Sequence, residues 1–119
     1  MAIPNIVSVS SIYGTTAVGV LTTTLTTTLV TAASDKVLKI NVIRCTNITD
    51  NDATVTLEVE VSGTHKKIAN EVTVPANSVV DIVDKNSSFY LQETDLLRGG
   101  ASAGTTIDFM VSYEILDDA

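Results

Sequence analysis

From Val72 to Leu116 the chain breaks into short apolar runs divided by turn residues. A Pro75-Ala-Asn77 turn precedes an apolar run with Val80 and Ile82. Asp84-Lys-Asn-Ser87 then turns into Phe89-Tyr-Leu91. Glu93-Thr-Asp95, Leu96-Leu97 and Gly99-Gly100 follow, and a last alternating run closes the series. Short β-prone runs at this spacing predict an all-β sandwich or barrel.

The middle of the chain carries the same signal. In Ala53 to Val61, Val55, Leu57, Val59 and Val61 alternate with Thr54, Thr56, Glu58 and Glu60. That is one dry and one wet face, as in an antiparallel strand with one side in solvent. Ile107, Phe109, Val111, Tyr113 and Ile115 make another dry face, with Met110 and Leu116 blurring the outer side. Leu38, Ile40 and Val42 begin a third, and the shift to Ile43 and Cys45 predicts a bulge there. Thr49-Asp-Asn-Asp52 is a strong turn and predicts a hairpin between two of these strands. Ser62-Gly63-Thr64 turns the chain into a strand on which Ile68, Val72 and Val74 face inward. Thr22 to Thr31 (TTTLTTTLVT) spaces Leu25 and Leu29 four apart, a helical interval, but β-branched threonines favour an extended segment. The expectation is one domain over residues 1–119: an antiparallel two-sheet β-sandwich of about eight strands, jelly-roll or Greek-key in style. Residues 1–13 read either as an arm that pairs with a neighbour or as a strand of the chain's own sheet.

Composition narrows function. Seven Lys and Arg against fourteen Asp and Glu give a net charge of −7, which disfavours a phosphate-backbone partner. Aromatic residues are 4% of the chain and tryptophan is absent, so platforms for bases or sugars are scarce. The stretch from Val18 to Ala33 is interrupted by seven threonines and does not read as a membrane span. The opening Met1-Ala-Ile-Pro-Asn5 has neither the basic nor the apolar region of a signal peptide, so the expected product is soluble and made in the cytoplasm.

Reactive side chains are few. Cys45 is the single cysteine and His65 the single histidine, too few for a zinc set. His65 beside Lys66 and Lys67 reads as a surface residue, and Cys45 as a small core hydrophobe. Asp50-Asn51-Asp52 offers oxygen ligands, yet an EF-hand register started at Asp50 puts Val55 and Val61 at the glycine and glutamate positions. Glu93 and Asp95 are paired carboxylates in a turn, with no pocket implied around them. Gly99-Gly100 and Gly104 read as a loop without a phosphate-binding pattern. Asn47-Ile-Thr49 and Asn86-Ser-Ser88 match the glycosylation triplet, which has meaning only in a secreted eukaryotic protein. No catalytic residue, cofactor or metal is expected, and the protein does not read as an enzyme.

Several segments together resemble one family. They are Ile6-Val-Ser-Val-Ser-Ser-Ile-Tyr-Gly14, Lys36-Val-Leu-Lys-Ile-Asn-Val-Ile43, Val74-Pro-Ala-Asn77, Tyr90-Leu-Gln-Glu-Thr-Asp95 and Val111-Ser-Tyr-Glu-Ile115. The chain resembles small virion structural proteins of tailed phages, especially marine and cyanobacterial ones. In those proteins a YLEEGD or YLEENDS turn precedes a strand and VSYEEI closes the chain. Leu96-Leu-Arg98 departs from the polar start often found after that turn. The resemblance implies a capsid decoration, neck or tail protein located in the virion. Its implied partners are the major capsid protein or other virion proteins, with self-association, a trimer by expectation. Candidate subunit contacts are Ile3, Ile6, Val7, Val9, Ile12 and Tyr13 in the N-terminal stretch, and Leu25 and Leu29 in the Thr-rich segment. A carbohydrate-binding sandwich, using Tyr90 or Tyr113, is the reading from another class.

Overall fold

A computed structural model of the protein describes residues 11–84, 86–104 and 106–117. The described residues form nine strands: β1 (Ser11–Val20), β2 (Thr27–Thr31), β3 (Lys36–Asn47), β4 (Ala53–Val61), β5 (Thr64–Val74), β6 (Val79–Val83), β7 (Phe89–Leu91), β8 (Leu96–Ala101) and β9 (Ile107–Asp117). They pair antiparallel in two sheets. One has the order β1-β9-β3-β6 with β7 also on β3, and the other β2-β8-β4-β5. β6 pairs Ile43–Thr46 and β7 pairs Leu38–Ile40, so the two share one strand position along β3. Eight strand positions in this order make a jelly roll.

The two sheets close because each strand has one apolar side. Ile40, Ile43, Cys45, Ile107 and Val111 from the first sheet, and Val55, Leu57, Val74 and Leu97 from the second, are fully buried in a single core. Each large aliphatic side chain so buried contributes about 1.5–3 kcal/mol. The anticipated break in β3 is present: its register shifts between Ile40 and Val42 against β9, and between Ile43 and Arg44 against β6. That shift keeps Ile40, Ile43 and Cys45 all inward.

Four expectations need correction. β3 and β4 do not form a hairpin, since they lie in different sheets. Their inward faces pack against each other, so Thr49–Asp52 is a corner between layers. The hairpin is β4–β5, closed by Ser62 and Gly63 with φ of 52° and 82° between the paired Val61 and Thr64. Positive φ at both residues is the type I′ turn that suits strand twist. Gly99 and Gly100 are not in a loop but inside β8. A Cβ on Gly99 would lie 2.6 Å from Leu57 Cδ2, and one on Gly100 would lie 2.7 Å from the Thr24 carbonyl oxygen. Glycine is therefore demanded by close approach on both faces. On β5, Ile68 does not face inward. Two register shifts against β4 turn it outward at 38% exposure and bring Ala69 into the core. On β4 the dry face ends early, and Val61 is 43% exposed.

The Thr-rich segment is the crossing from one sheet to the other. Leu21 N–H donates to Ile107 C=O in the first sheet, and the neighbouring Thr22 C=O accepts from Ala101 N–H in the second. The hydroxyls of Thr22 and Thr27 lie 3.2 Å apart and those of Thr24 and Thr26 2.7 Å apart, tying the turn to itself. A bulge between Thr28 and Val30 then buries Leu29 and Val30 together.

Candidate functional site

Of the candidate contacts, Ile3, Ile6, Val7 and Val9 lie outside the described residues. Ser11, Ile12 and Tyr13 belong to β1, paired with Asp117, Leu116 and Ile115. The second of the two sequence alternatives thus holds for these three. Ile12 and Tyr13 remain 56% and 45% exposed on that strand. Leu25 is half-buried and lines a polar cleft of about 520 Å³ with Thr23, Thr56, Asn70 and Glu71. Leu29 is in the core, where its apolar surface is already used within the subunit. Tyr90 and Tyr113 point to opposite faces of their sheet. Tyr113 pairs with Ile40 against the core, and Tyr90 pairs with Lys39 on the outer side. They do not form a common platform.

The reactive-looking residues are held by structural bonds. The Cys45 thiol is fully buried, and burial, with Asp81 nearby, pushes its pKa up to about 12. It is an inert thiol. Asn47 is 1% exposed. Its Nδ2 donates to the Asn51 and Val74 carbonyls, and its Oδ1 accepts from Thr49 N–H and Oγ1. In the folded chain it is closed to modification. Asp50 and Asp52, weighed above as cation ligands, accept from Asn77 Nδ2 and Ala76 N–H. They pin the Pro75-Ala-Asn77 turn to the layer corner.

Glu93 and Asp95 are anchors too. Asp35 N–H donates to Glu93 Oε2 at 2.9 Å. Asp95 is 4% exposed; its Oδ1 accepts from Ser62 N–H at 3.2 Å and its Oδ2 from Gln92 N–H at 3.0 Å. Its backbone carbonyl accepts from Ala32 N–H, whose own carbonyl accepts from Thr94 N–H. The Asp95 carboxylate therefore ties the β7–β8 turn to the β4–β5 turn, and its backbone carbonyl ties both to the end of β2.

The sequence did not reveal a charged cluster on the outer face of the second sheet. Register sets Arg98 of β8 beside Glu58 of β4, and Glu60 beside His65 of β5. Arg98 Nε and Nη2 both donate to Glu58 Oε1, at 2.9 and 2.5 Å. His65 Nδ1 lies 3.2 Å from the same oxygen and Nε2 lies 3.1 Å from Glu60 Oε1. Arg98 Nη2 also lies against His65 Nδ1, so arginine, imidazole and both carboxylates form one contiguous cluster. Glu58, read from alternation as solvated, is 7% exposed under this cover. Burial alone would raise its pKa. The hydrogen bonds and charges of Arg98 and His65 outweigh it and hold the carboxyl below its ordinary value. Only strand register could have signalled the Arg98–Glu58 pair, whose partners are 40 residues apart; His65 meets Glu58 and Glu60 across the β4–β5 hairpin.

Compared with known proteins, the chain matches no protein-family model and no curated sequence.

Proposed function

We propose that the protein is a passive structural component of a tailed-phage particle, a head-decoration protein that bridges neighbouring capsid subunits as a homo-oligomer. Many weak contacts, repeated over the particle, would give firm attachment by avidity. The observation that carries this reading is the backbone at Thr94. In the resembling proteins the turn reads YLEEGD or YLEENDS, so glycine or asparagine stands where this chain has Thr94. Here Thr94 has a φ of 71°, a conformation that a β-branched residue adopts only under strain. Glycine and asparagine are the residues such a position favours. The aspartate after it in that motif corresponds to Asp95, whose carboxylate ties two turns together. The motif thus has a mechanical reason at both positions, which supports shared descent over shared composition. Jelly rolls serve in viral capsids and in lectins alike, so the fold adds consistency and no more.

Two measurements bear on the proposal. Thr94→Gly is expected to raise unfolding free energy by about 1 kcal/mol by relieving the strain; a loss of stability in urea titration would remove the motif argument. Antibody-gold labelling of intact particles is expected to decorate the head at many sites. Label confined to the neck or tail would move the protein to a ring or connector, and unlabelled particles would defeat an exposed virion role.

A further inference from the structure

Sheet edges are normally defended by charge, brevity, bulges or proline. Three edges here follow that practice. β5 carries Lys66 and Lys67 and two register shifts, β6 has five residues including Asp81, and β2 has five residues and a bulge. β1 does not. It runs ten residues in unbroken register with β9, and its sequence, SIYGTTAVGV, has no charge and no proline. Among the described residues no strand lies on its other side.

The direction of its free groups follows from one bond. Leu21 N–H donates to Ile107 C=O at 2.9 Å, one step beyond the Val20–Asp108 pair. Residues of an antiparallel strand alternate between facing one neighbour and facing the other. Tyr13, Thr15, Ala17 and Gly19 therefore address β9, while Ile12, Gly14, Thr16, Val18 and Val20 turn their N–H and C=O groups to the open side.

We propose that this edge pairs antiparallel with the same edge of a second copy, about a two-fold axis at Thr16. On the outer face this register sets Thr16 against Thr16, Gly14 against Val18 and Ile12 against Val20. On the inner side it sets Tyr13 against Gly19 and Thr15 against Ala17. Gly14 thereby meets Val18 of the other copy, and Tyr13 comes beside Gly19, over which the chain's own Phe109 ring already packs; an aromatic residue beside an edge glycine is a recognised stabiliser of register. Val18, Val20, Ile12 and Tyr13 are 74%, 39%, 56% and 45% exposed in the single chain, so the pairing covers the apolar surface that β1 leaves open. Val18 and Val20 also line a largely apolar cleft with Met110 and Phe109, beside the position Ile12 of the second copy would take. Centring the pair on Thr15 is poorer. It would set Ser11 against Gly19 and Thr16 against Gly14.

A second copy is the fitting occupant because the strand is its own complement and because it is neutral. Two chains of net charge −7 repel, and an uncharged edge is where they meet at least cost. Pairing of one strand with itself closes as a two-fold dimer, which replaces the three-fold order expected from the sequence. The inference deepens the virion reading by naming one partner, yet its test uses the isolated protein and is independent of particle labelling.

Sedimentation equilibrium of the full chain is expected to give twice the 12.5 kDa of one chain. Thr16→Pro, which removes an outward N–H at an edge position where proline is tolerated, should give monomer with unfolding little changed. Thr16→Lys, which sets like charges directly opposite, should weaken the dimer by about tenfold or more while leaving the monomer folded. Thr16→Cys should form a disulfide-linked dimer on mild oxidation and Val20→Cys should not, since only residue 16 faces itself. A monomeric or trimeric wild-type chain overturns the proposal, as does a dimer indifferent to both Thr16 substitutions. Cross-linking through Val20→Cys as readily as through Thr16→Cys would overturn the register.

Discussion

Asp95→Ala is expected to lower the free energy of unfolding by about 2–5 kcal/mol, because two N–H groups lose their acceptor in a buried site. The groups are those of Ser62 and Gln92, and Asp95 is 4% exposed, so water cannot readily replace the carboxylate. The affected turns join β4 to β5 and β7 to β8, and the same residue's backbone holds Ala32 at the end of β2. Loss should therefore reach both sheets, and urea unfolding followed by circular dichroism reads it directly. Asp95→Asn keeps one acceptor oxygen but turns an amide toward the other N–H, so its loss should be smaller than that of alanine. Equal stability of the alanine variant and the wild type would show that the turns are held by backbone bonds alone.

Arg98→Met is expected to destabilise the protein at neutral pH by about 1–3 kcal/mol, because Glu58 stays buried as a carboxylate without its main partner. The sign of the pH dependence follows from Glu58. Its carboxyl lies below its ordinary value in the folded chain, so the stability it contributes is present above the unfolded pKa. That contribution fades as pH falls through the folded value. The gap between wild type and Arg98→Met should therefore be widest near pH 7 and shrink in acid, where Glu58 is protonated in both. Parallel thermal unfolding across that range checks it; a gap constant with pH would mean that Arg98 contributes packing alone. The exposed Arg44–Asp81 pair, at 2.6 Å, should show a far weaker effect, since water screens it.

The two variants differ in how visible their residues were beforehand. Glu93-Thr-Asp95 read as a turn because small polar residues bond their own backbone nearby, and that chemistry is local. What Asp95 reaches beyond its turn was not legible, because Ser62 and Ala32 arrive through the fold. The Glu58–Arg98–His65–Glu60 cluster was hidden for the same reason. Alternation correctly set Glu58 on the outer face but could not say that an arginine from β8 and a histidine from β5 would cover it. The glycine pair at 99 and 100 misled in the opposite direction. Glycine commonly marks loops, but here it marks two places inside a strand where Leu57 and the Thr24 backbone come too close for a side chain.

Period-two alternation, β-branched composition and turn residues were enough to determine an all-β chain of antiparallel strands in two layers. Those signals act between near neighbours and need no knowledge of partners. The tertiary structure decided which strands share a sheet, where bulges turn Ile68 outward and Leu29 inward, and which edges have no further strand beside them among the described residues. These depend on register between distant segments. Shifting a strand by one residue would exchange its buried and exposed faces, and only the packed core chooses between the two.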